Sequence, residues 1–198
     1  YVSLLCKNDP AFLKEASEKL HEYEAVIRKI IIIHLLNQRE FEFLYKAGNE
    51  ITTLLHSAIA EDRELAVEIM SELKHVQFSE ALKMLINDDE ISVCRAAIST
   101  ACKLKMAPLL PEIISMLNQQ SHKNLVLKGL TLYGDQLFED MQQLLEFSPK
   151  DHLLELIKIA GKQKGENSTA FLLSMAKEGN ADFREAIVHS LWNKEYTP

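Results

Sequence analysis

The chain has 198 residues, 47% of them hydrophobic and 26% charged, with only 6 Gly and 5 Pro, which is the composition of a helix-rich globular protein and not of a low-complexity one. Its 22 Lys and Arg against 29 Asp and Glu leave a net charge of −7, so no excess of cations is available to displace counterions from duplex DNA or RNA. Three cysteines, Cys6, Cys94 and Cys102, cannot all pair, and two lie in apolar helical patterns, which excludes a disulfide framework and points to a reducing, cytoplasmic compartment.

The chain opens on Tyr1 without an initiator methionine and without a basic, apolar, small-residue leader, and reads as a mature or excised part of something longer. Asp9 and Pro10 form an N-cap and first helical position, opening a helix to about His21. A second helix runs from about Glu22 to Asn37. Its run Ile30 to Leu36 is shorter than the roughly 18 residues that span a bilayer, so it predicts a buried helix surrounded on most sides. A third helix is expected over Arg39 to Ala47, stopping at Gly48, and a fourth from Asn49 to about Ala60, which makes residues 1–60 two diverged helical hairpins.

From Glu61 onward the chain repeats. The clearest copy is Asp88 to Leu117: Asp88 or Asp89 caps a first helix, Lys103 to Met106 turn the chain, and Pro108 and Pro111 suit the first turn of a second helix. With Val93 as position zero, further copies start at Asp62, Leu125, His152 and Phe183, at spacings of 31, 32, 27 and 31 residues. The fifth position is always apolar: Val67, Ile98, Leu130, Ile157 and Val188. On the partner helix Leu82, Ile113, Leu145 and Leu172 agree. Small residues at the fourth position, Ala66, Ala97 and Gly129, predict close approach of helix backbones, with Leu156 and Ile187 breaking the pattern; Gly134 and Gly161 at the ninth predict helix ends, while Ser71, Cys102 and Trp192 fill that slot elsewhere. A single such hairpin cannot bury its apolar stripe, so each copy is held by its neighbours. No Ser, Gly or charge run marks a linker. The fold class that follows is all-α, a right-handed α-α superhelix of about six helical hairpins. Residues 61–198 form its repeats and 1–60 its diverged start, in one continuous solenoid domain.

Three segments carry a family resemblance: Asp62-Arg63-Glu64-Leu65-Ala66-Val67, Val93 to Leu104 (VCRAAISTACKL) and Phe183-Arg184-Glu185-Ala186-Ile187-Val188. They are similar to the HEAT-like repeat signature, an apolar residue, an arginine and then alanines running into a short turn. The resemblance covers about Glu61 to Trp192. It implies an α-solenoid in which the arginine and a preceding aspartate form a ladder between repeats. Arg63 and Arg184 occupy that slot, Cys94 stands in it in the central copy with Arg95 one place late, and Val126 and Leu153 replace it in the other two. A narrower set, ACKLKMAPLLPEIISML, LTLYGDQLFEDM, IKIAGKQKG and HSLWNKEY, resembles the HEAT-repeat region of bacterial membrane proteins related to ATP:ADP translocases. That resemblance implies a cytosolic appendage with no transport chemistry of its own.

Motifs for chemistry are missing from the pattern. None of the seven histidines pairs at i and i+4 with a glutamate between, and Cys94 and Cys102 stand eight apart, a poor metal spacing. The one His-Glu dipeptide, His21-Glu22, falls short of the several that HEAT-fold di-iron hydroxylases carry by resemblance. Gly134-Asp135 and Gly161 to Gly165 lack the preceding strand and lysine-serine pair of a phosphate loop and read as helix-turn glycines. Asp88-Asp89-Glu90 reads as a helix N-terminus favoured by the dipole. Arg63, Arg95 and Arg184 read as inter-repeat contacts and His152 and His189 as rim residues. Trp192 and Tyr196 either cover the last repeat or anchor a partner.

The expectation is therefore not an enzyme but a protein-interaction or scaffold module, with no catalytic residue, cofactor or metal assigned. Its partner would be a protein segment or a neighbouring domain of the same polypeptide, with no nucleic acid and no membrane insertion by this chain. The inner face would be built from second helices over Ser79 to Ile86, Pro108 to Asn118, Gln136 to Phe147 and Ser168 to Lys177. Its exposed residues would be Glu80, Lys83, Glu112, Gln119, Glu139, Asp140, Gln143 and Lys177. That face leans acidic and favours a basic partner. The rival expectation is an enzyme of the HEAT-like bilin lyase or base-excision type, the second disfavoured by one Trp and a negative charge.

Overall fold

Helix α3 (Ala25–Asn37) organises the first half of the chain. Its apolar run leaves Ile31, Ile32 and Leu35 without solvent exposure, because α1 (Val2–Asn8), α2 (Pro10–Glu18), α4 (Phe41–Leu55) and α5 (Ala60–Leu73) all pack on it. The structure is a computed structural model and describes residues 1–38, 40–73, 76–139, 150–177 and 181–196. Among these the chain is all-helical, with no strand. No helix of the described residues is long and apolar enough to cross a membrane.

The chain divides into two compact units, Tyr1–Thr100 and Ala101–Pro198. The first holds α1 to α5, a single 3-10 turn at Val76–Phe78, α6 (Ser79–Ile86) and most of α7 (Ile91–Lys103). The second holds the end of α7, α8 (Leu110–Ser115), α9 (Gln120–Tyr133), α10 (Lys150–Lys162), α11 (Glu166–Lys177) and α12 (Arg184–Tyr196). Within it α10 packs along α12, α11 contacts both, and α9 contacts α10. Phe138 and Phe171 meet at 5.0 Å between ring centroids in its core.

Local chemistry explains most element ends. Asp9 accepts a hydrogen bond from the Phe12 N–H at 3.0 Å and Pro10 follows it, as expected for an N-cap and first position. Helix α7 stops in a Schellman arrangement: the Met106 N–H reaches Ala101 O and the Lys105 N–H reaches Cys102 O, with Lys105 at φ 51°. The buried Tyr133 hydroxyl lies 3.2 Å from Met106 O and 3.4 Å from Ala101 O, at the same helix end. Pro108 and Pro111 lack N–H donors, and the segment they open is broken into a 3-10 turn at Ala107–Leu109, the short α8, and a second 3-10 turn at Met116–Asn118.

Three expectations are corrected. Gly48 does not end a helix and Asn49 does not start one; both lie inside α4. Phe43, Ala47, Ile51 and Leu54 form one buried stripe across them, and its burial outweighs the roughly 1 kcal/mol that an interior glycine costs. Gly161 is the last residue but one of α10, so a helix does end there, but a Cβ would come 2.7 Å from Ser190 Cβ of α12, and close helix packing and not a left-handed cap explains it. His152 is not a rim residue: it is 6% exposed, with Nε2 2.8 Å from Asn118 Oδ1 as a partner for its buried ring. Of the expected helix from Gln136 to Phe147, residues Gly134–Phe138 form a 3-10 helix and 140–149 lie outside the described residues.

Candidate functional site

The expected interaction residues fall in both units. Glu80 and Lys83 are exposed on α6 in the first, while in the second Gln119, Glu139 and Lys177 are exposed and Glu112 is half-buried on α8. Asp140 and Gln143 lie outside the described residues. Among the described residues, no three His, Cys, Asp or Glu side chains gather as a metal site would need.

Of the three arginines expected between repeats, Arg63 bonds two turns of the first unit at once. Its Nε donates to Asp88 Oδ2 at 2.7 Å and its Nη2 to Asp88 Oδ1 at 2.8 Å, while Nη1 donates to Ser57 O at 2.8 Å. Asp88 Oδ1 also accepts from the Glu90 N–H at 2.9 Å, just before α7. The Arg63 guanidinium holds the Asp88 carboxyl below its ordinary range, against the opposing pull of burial. Ser57, 31 residues earlier, repeats this turn, its Oγ accepting from the Ile59 N–H at 3.1 Å and donating to Asp62 at 2.7 Å. Arg28 of α3 pairs with Glu50 and lies 3.6 Å from Asp62. The first unit thus carries a continuous polar chain from Glu50 through Arg28, Asp62, Ser57 and Arg63 to Asp88. Arg95 and Arg184 are exposed.

The second unit places its own charges around the turn between α10 and α11. Gly134 ends α9 at φ 67°, a left-handed value suited to glycine, and directs the chain so that Asp135 reaches the start of α11. Asp135 accepts from the Asn167 N–H at 3.0 Å and the Ser168 N–H at 2.8 Å, capping a helix more than thirty residues away in sequence. Burial pushes the Asp135 carboxyl up, but hydrogen bonds from Ser168 and Asn167 outweigh it and leave it below its ordinary value. Lys194 of α12 donates to Gln163 O at 2.8 Å and to Ser168 Oγ at 2.7 Å. Burial lowers its ammonium below its usual range, and Asp135 offsets this only in part.

A cavity of about 520 Å³ opens at this turn, lined by Lys162, Gln163, Lys164, Thr169, Asn193 and Lys194 together with two glycines, Gly161 and Gly165. Both glycines are expected at helix ends from the sequence, in which nothing points to Lys194. The two lysines inside the run Gly161 to Gly165 were the available local signal; the approach of α12 had none.

A second, shallower concavity of about 570 Å³ lies on α12 between Arg184, Glu185, Val188, His189 and Trp192. Val188 is 60% and Trp192 61% exposed, so Trp192 does not close the core. Compared with known proteins, the chain matches no family model and is similar to no curated protein.

Proposed function

We propose that this chain is a HEAT-like α-solenoid that works as a protein-interaction or scaffold module and contributes no chemistry of its own. The observation that carries the reading is the recurrence of one turn at Ser57 and Asp88, 31 residues apart, tied together by Arg63, which bonds Ser57 O and the Asp88 carboxylate at once. An arginine and aspartate rung between repeats is what the HEAT-like signature implies, and this pair supports that reading. Stacked hairpins of this kind leave one helix of each pair available along an extended surface, and the physical use of such a surface is to bind another chain. The narrower resemblance supports a place as the cytoplasmic part of a larger protein with a transporter-like membrane domain.

The occupant is a segment of a partner protein or of a neighbouring domain, basic in character because Glu80, Glu112, Glu139 and Asp140 outnumber Lys83 and Lys177 on the expected face. Affinity capture with Glu112, Glu139 and Asp140 reversed to lysine tests the face: partners held by the unmodified chain are expected to be lost, and an unchanged set rejects it. Small-angle scattering tests the superhelix. A radius of gyration of about 16 Å, the value for a compact globule of this length, overturns it.

A further inference from the structure

We propose that the exposed face of α4 around Gly48 binds a second copy of this chain, as an antiparallel helix pair related by a two-fold axis. Phe41 is 83% and Tyr45 61% exposed, and Leu44 beside them is exposed as well. The two rings stack with centroids 6.4 Å apart, so they form one ridge along the i, i+4 row of the helix. One turn further on lies Gly48, with no atom within 4 Å of a Cβ. Close neighbours hold Gly129, Gly161 and Gly165 small, and backbone conformation holds Gly134. Nothing within the described chain accounts for Gly48, which costs α4 about 1 kcal/mol in helix propensity.

The middle of this face carries no charge. From Leu44 to Thr53 the exposed residues of α4 are Leu44, Tyr45, Gly48, Asn49, Thr52 and Thr53, in a chain that is 26% charged. Depletion of charge is the compositional mark of the centre of an interface. Lys46 and Glu50 are turned aside, paired with Glu18 of α2 and Arg28 of α3, and Glu42 pairs with the same lysine. The Thr52 and Thr53 hydroxyls donate to Gly48 O at 2.9 Å and Asn49 O at 3.0 Å, so their protons are satisfied within the helix and need no water.

A second copy is the occupant because the face is complementary to itself. Its ridge, Phe41 and Tyr45, and its notch, Gly48 in the row Leu44, Gly48 and Thr52, lie side by side along one helix. Reversing a second α4 over the first sets each ridge on the other's notch, the closed two-fold arrangement in which one surface serves both partners. It also lays uncharged residues on uncharged residues, so two chains of net charge −7 meet without like charges opposed at the centre. Helix α4 has 15 residues, a length of about 22 Å, so the contact falls below the roughly 1,200 Å² of a tight interface and the dimer is weak, with Kd on the order of 10 to 100 μM. None of these residues belongs to the face expected to hold a partner protein, so the proposal goes beyond that reading.

Sedimentation equilibrium of the whole chain from about 1 μM to about 1 mM tests it. The mean mass is expected to rise from 22.6 kDa towards twice that value. Tyr45→Ser and Gly48→Gln, both at exposed positions, are each expected to weaken association roughly tenfold or more. Glutamine has the better helix propensity, so dilute Gly48→Gln should melt no lower than the unmodified chain, which separates loss of association from loss of fold. Leu173→Ser on α11 and Val188→Ser on α12, exposed apolar sites elsewhere, should leave association unchanged. A chain that stays monomeric throughout, a mass that climbs past the dimer, association kept by Tyr45→Ser or by Gly48→Gln, or association lost through Leu173→Ser or Val188→Ser would each overturn the assignment.

Discussion

Arg63 and Asp88, 25 residues apart, meet in a two-pronged pair at 2.7 and 2.8 Å, and the same carboxylate accepts the Glu90 N–H at the start of α7. One side chain thus ties α5 to the turn before α7 and closes that turn. Asp88→Ala removes both contacts and leaves a guanidinium that is only 15% exposed without its carboxylate. The expected loss is about 2 to 4 kcal/mol. Asp88→Asn keeps an oxygen for the Glu90 N–H and is expected to lose about half as much. Urea unfolding of the three chains measures both, and an unchanged midpoint for Asp88→Ala would show that the pair holds nothing together.

The same pair sets a pH dependence. Its partner keeps the Asp88 carboxyl below its ordinary value in the folded chain, while the unfolded value is about 3.9. The unfolded state therefore takes up a proton first, so the stabilisation is complete above about pH 4 to 5 and is lost as pH falls through the lower folded value. The stability difference between the unmodified chain and Asp88→Asn should be constant from pH 7 to 5 and shrink below 4. Urea midpoints at pH 7, 5 and 3 read this, and a gap that widens at pH 3 contradicts it.

What the sequence made legible was local. The Asp9-Pro10 start of α2, the apolar α3 and the turn after α7 follow from side chains within a few residues of the feature they set. The slot of Arg63 was legible from the spacing near 31 and the repeat signature, but its partner was not, since Asp88 reads locally as a helix N-terminus only. Asp135 was not, since its partners at Asn167 and Ser168 are 32 and 33 residues away and no spacing rule links a loop carboxylate to a later helix start. Gly48 misled because propensity favours a stop there, whereas the buried stripe running past it favours continuation. Lys194 gave no local sign at all, since what makes it notable is the loop that α12 happens to approach.

Two glycines should respond in opposite directions to alanine. Gly48 is exposed inside α4 with no atom within 4 Å of a Cβ, so Gly48→Ala gains helix propensity and should stabilise by up to about 1 kcal/mol. Gly134 has φ 67°, with ψ −145°, a region that an L side chain resists. Gly134→Ala should destabilise by about 1 to 3 kcal/mol despite the open space around it. Thermal melting of the pair decides: shifts of the same sign would mean that steric room, and not backbone conformation, governs both.

At Gly129 the close approach expected from its small size is present and severe. A Cβ there would lie 2.5 Å from Cys102 Sγ and 3.0 Å from its Cβ. The helix propensity gained by Gly129→Ala, about 1 kcal/mol, is set against overpacking of about 1 to 3 kcal/mol, and the net effect should be destabilising. Gly129→Leu should be worse, and so should Ala97→Leu, whose site has no solvent exposure. Cys102→Ala removes the sulfur that clashes, so the double variant Gly129→Ala with Cys102→Ala should recover part of the loss. A double-mutant cycle measures the recovery, and strict additivity would place Gly129 away from Cys102.

The three cysteines should be chemically silent while the chain is folded. Cys6, Cys94 and Cys102 are 2%, 3% and 0% exposed. Burial raises the thiol of each, and pushes Cys102 up to about 12. At pH 8 the thiolate of Cys102 would be on the order of one part in ten thousand, and the thiolate is the form that reacts. Cys94 is further held by donating its S–H to Ile86 O at 2.8 Å. Iodoacetamide at pH 8 should therefore label all three only as urea unfolds the chain, with labelling and loss of helical circular dichroism sharing one midpoint for the unit concerned. Cys6 lies in α1, a helix of only 7 residues, and local opening there should make it the first to react. Rapid labelling of Cys102 in the absence of urea would mean that α7 and α9 do not pack as their glycine and cysteine require.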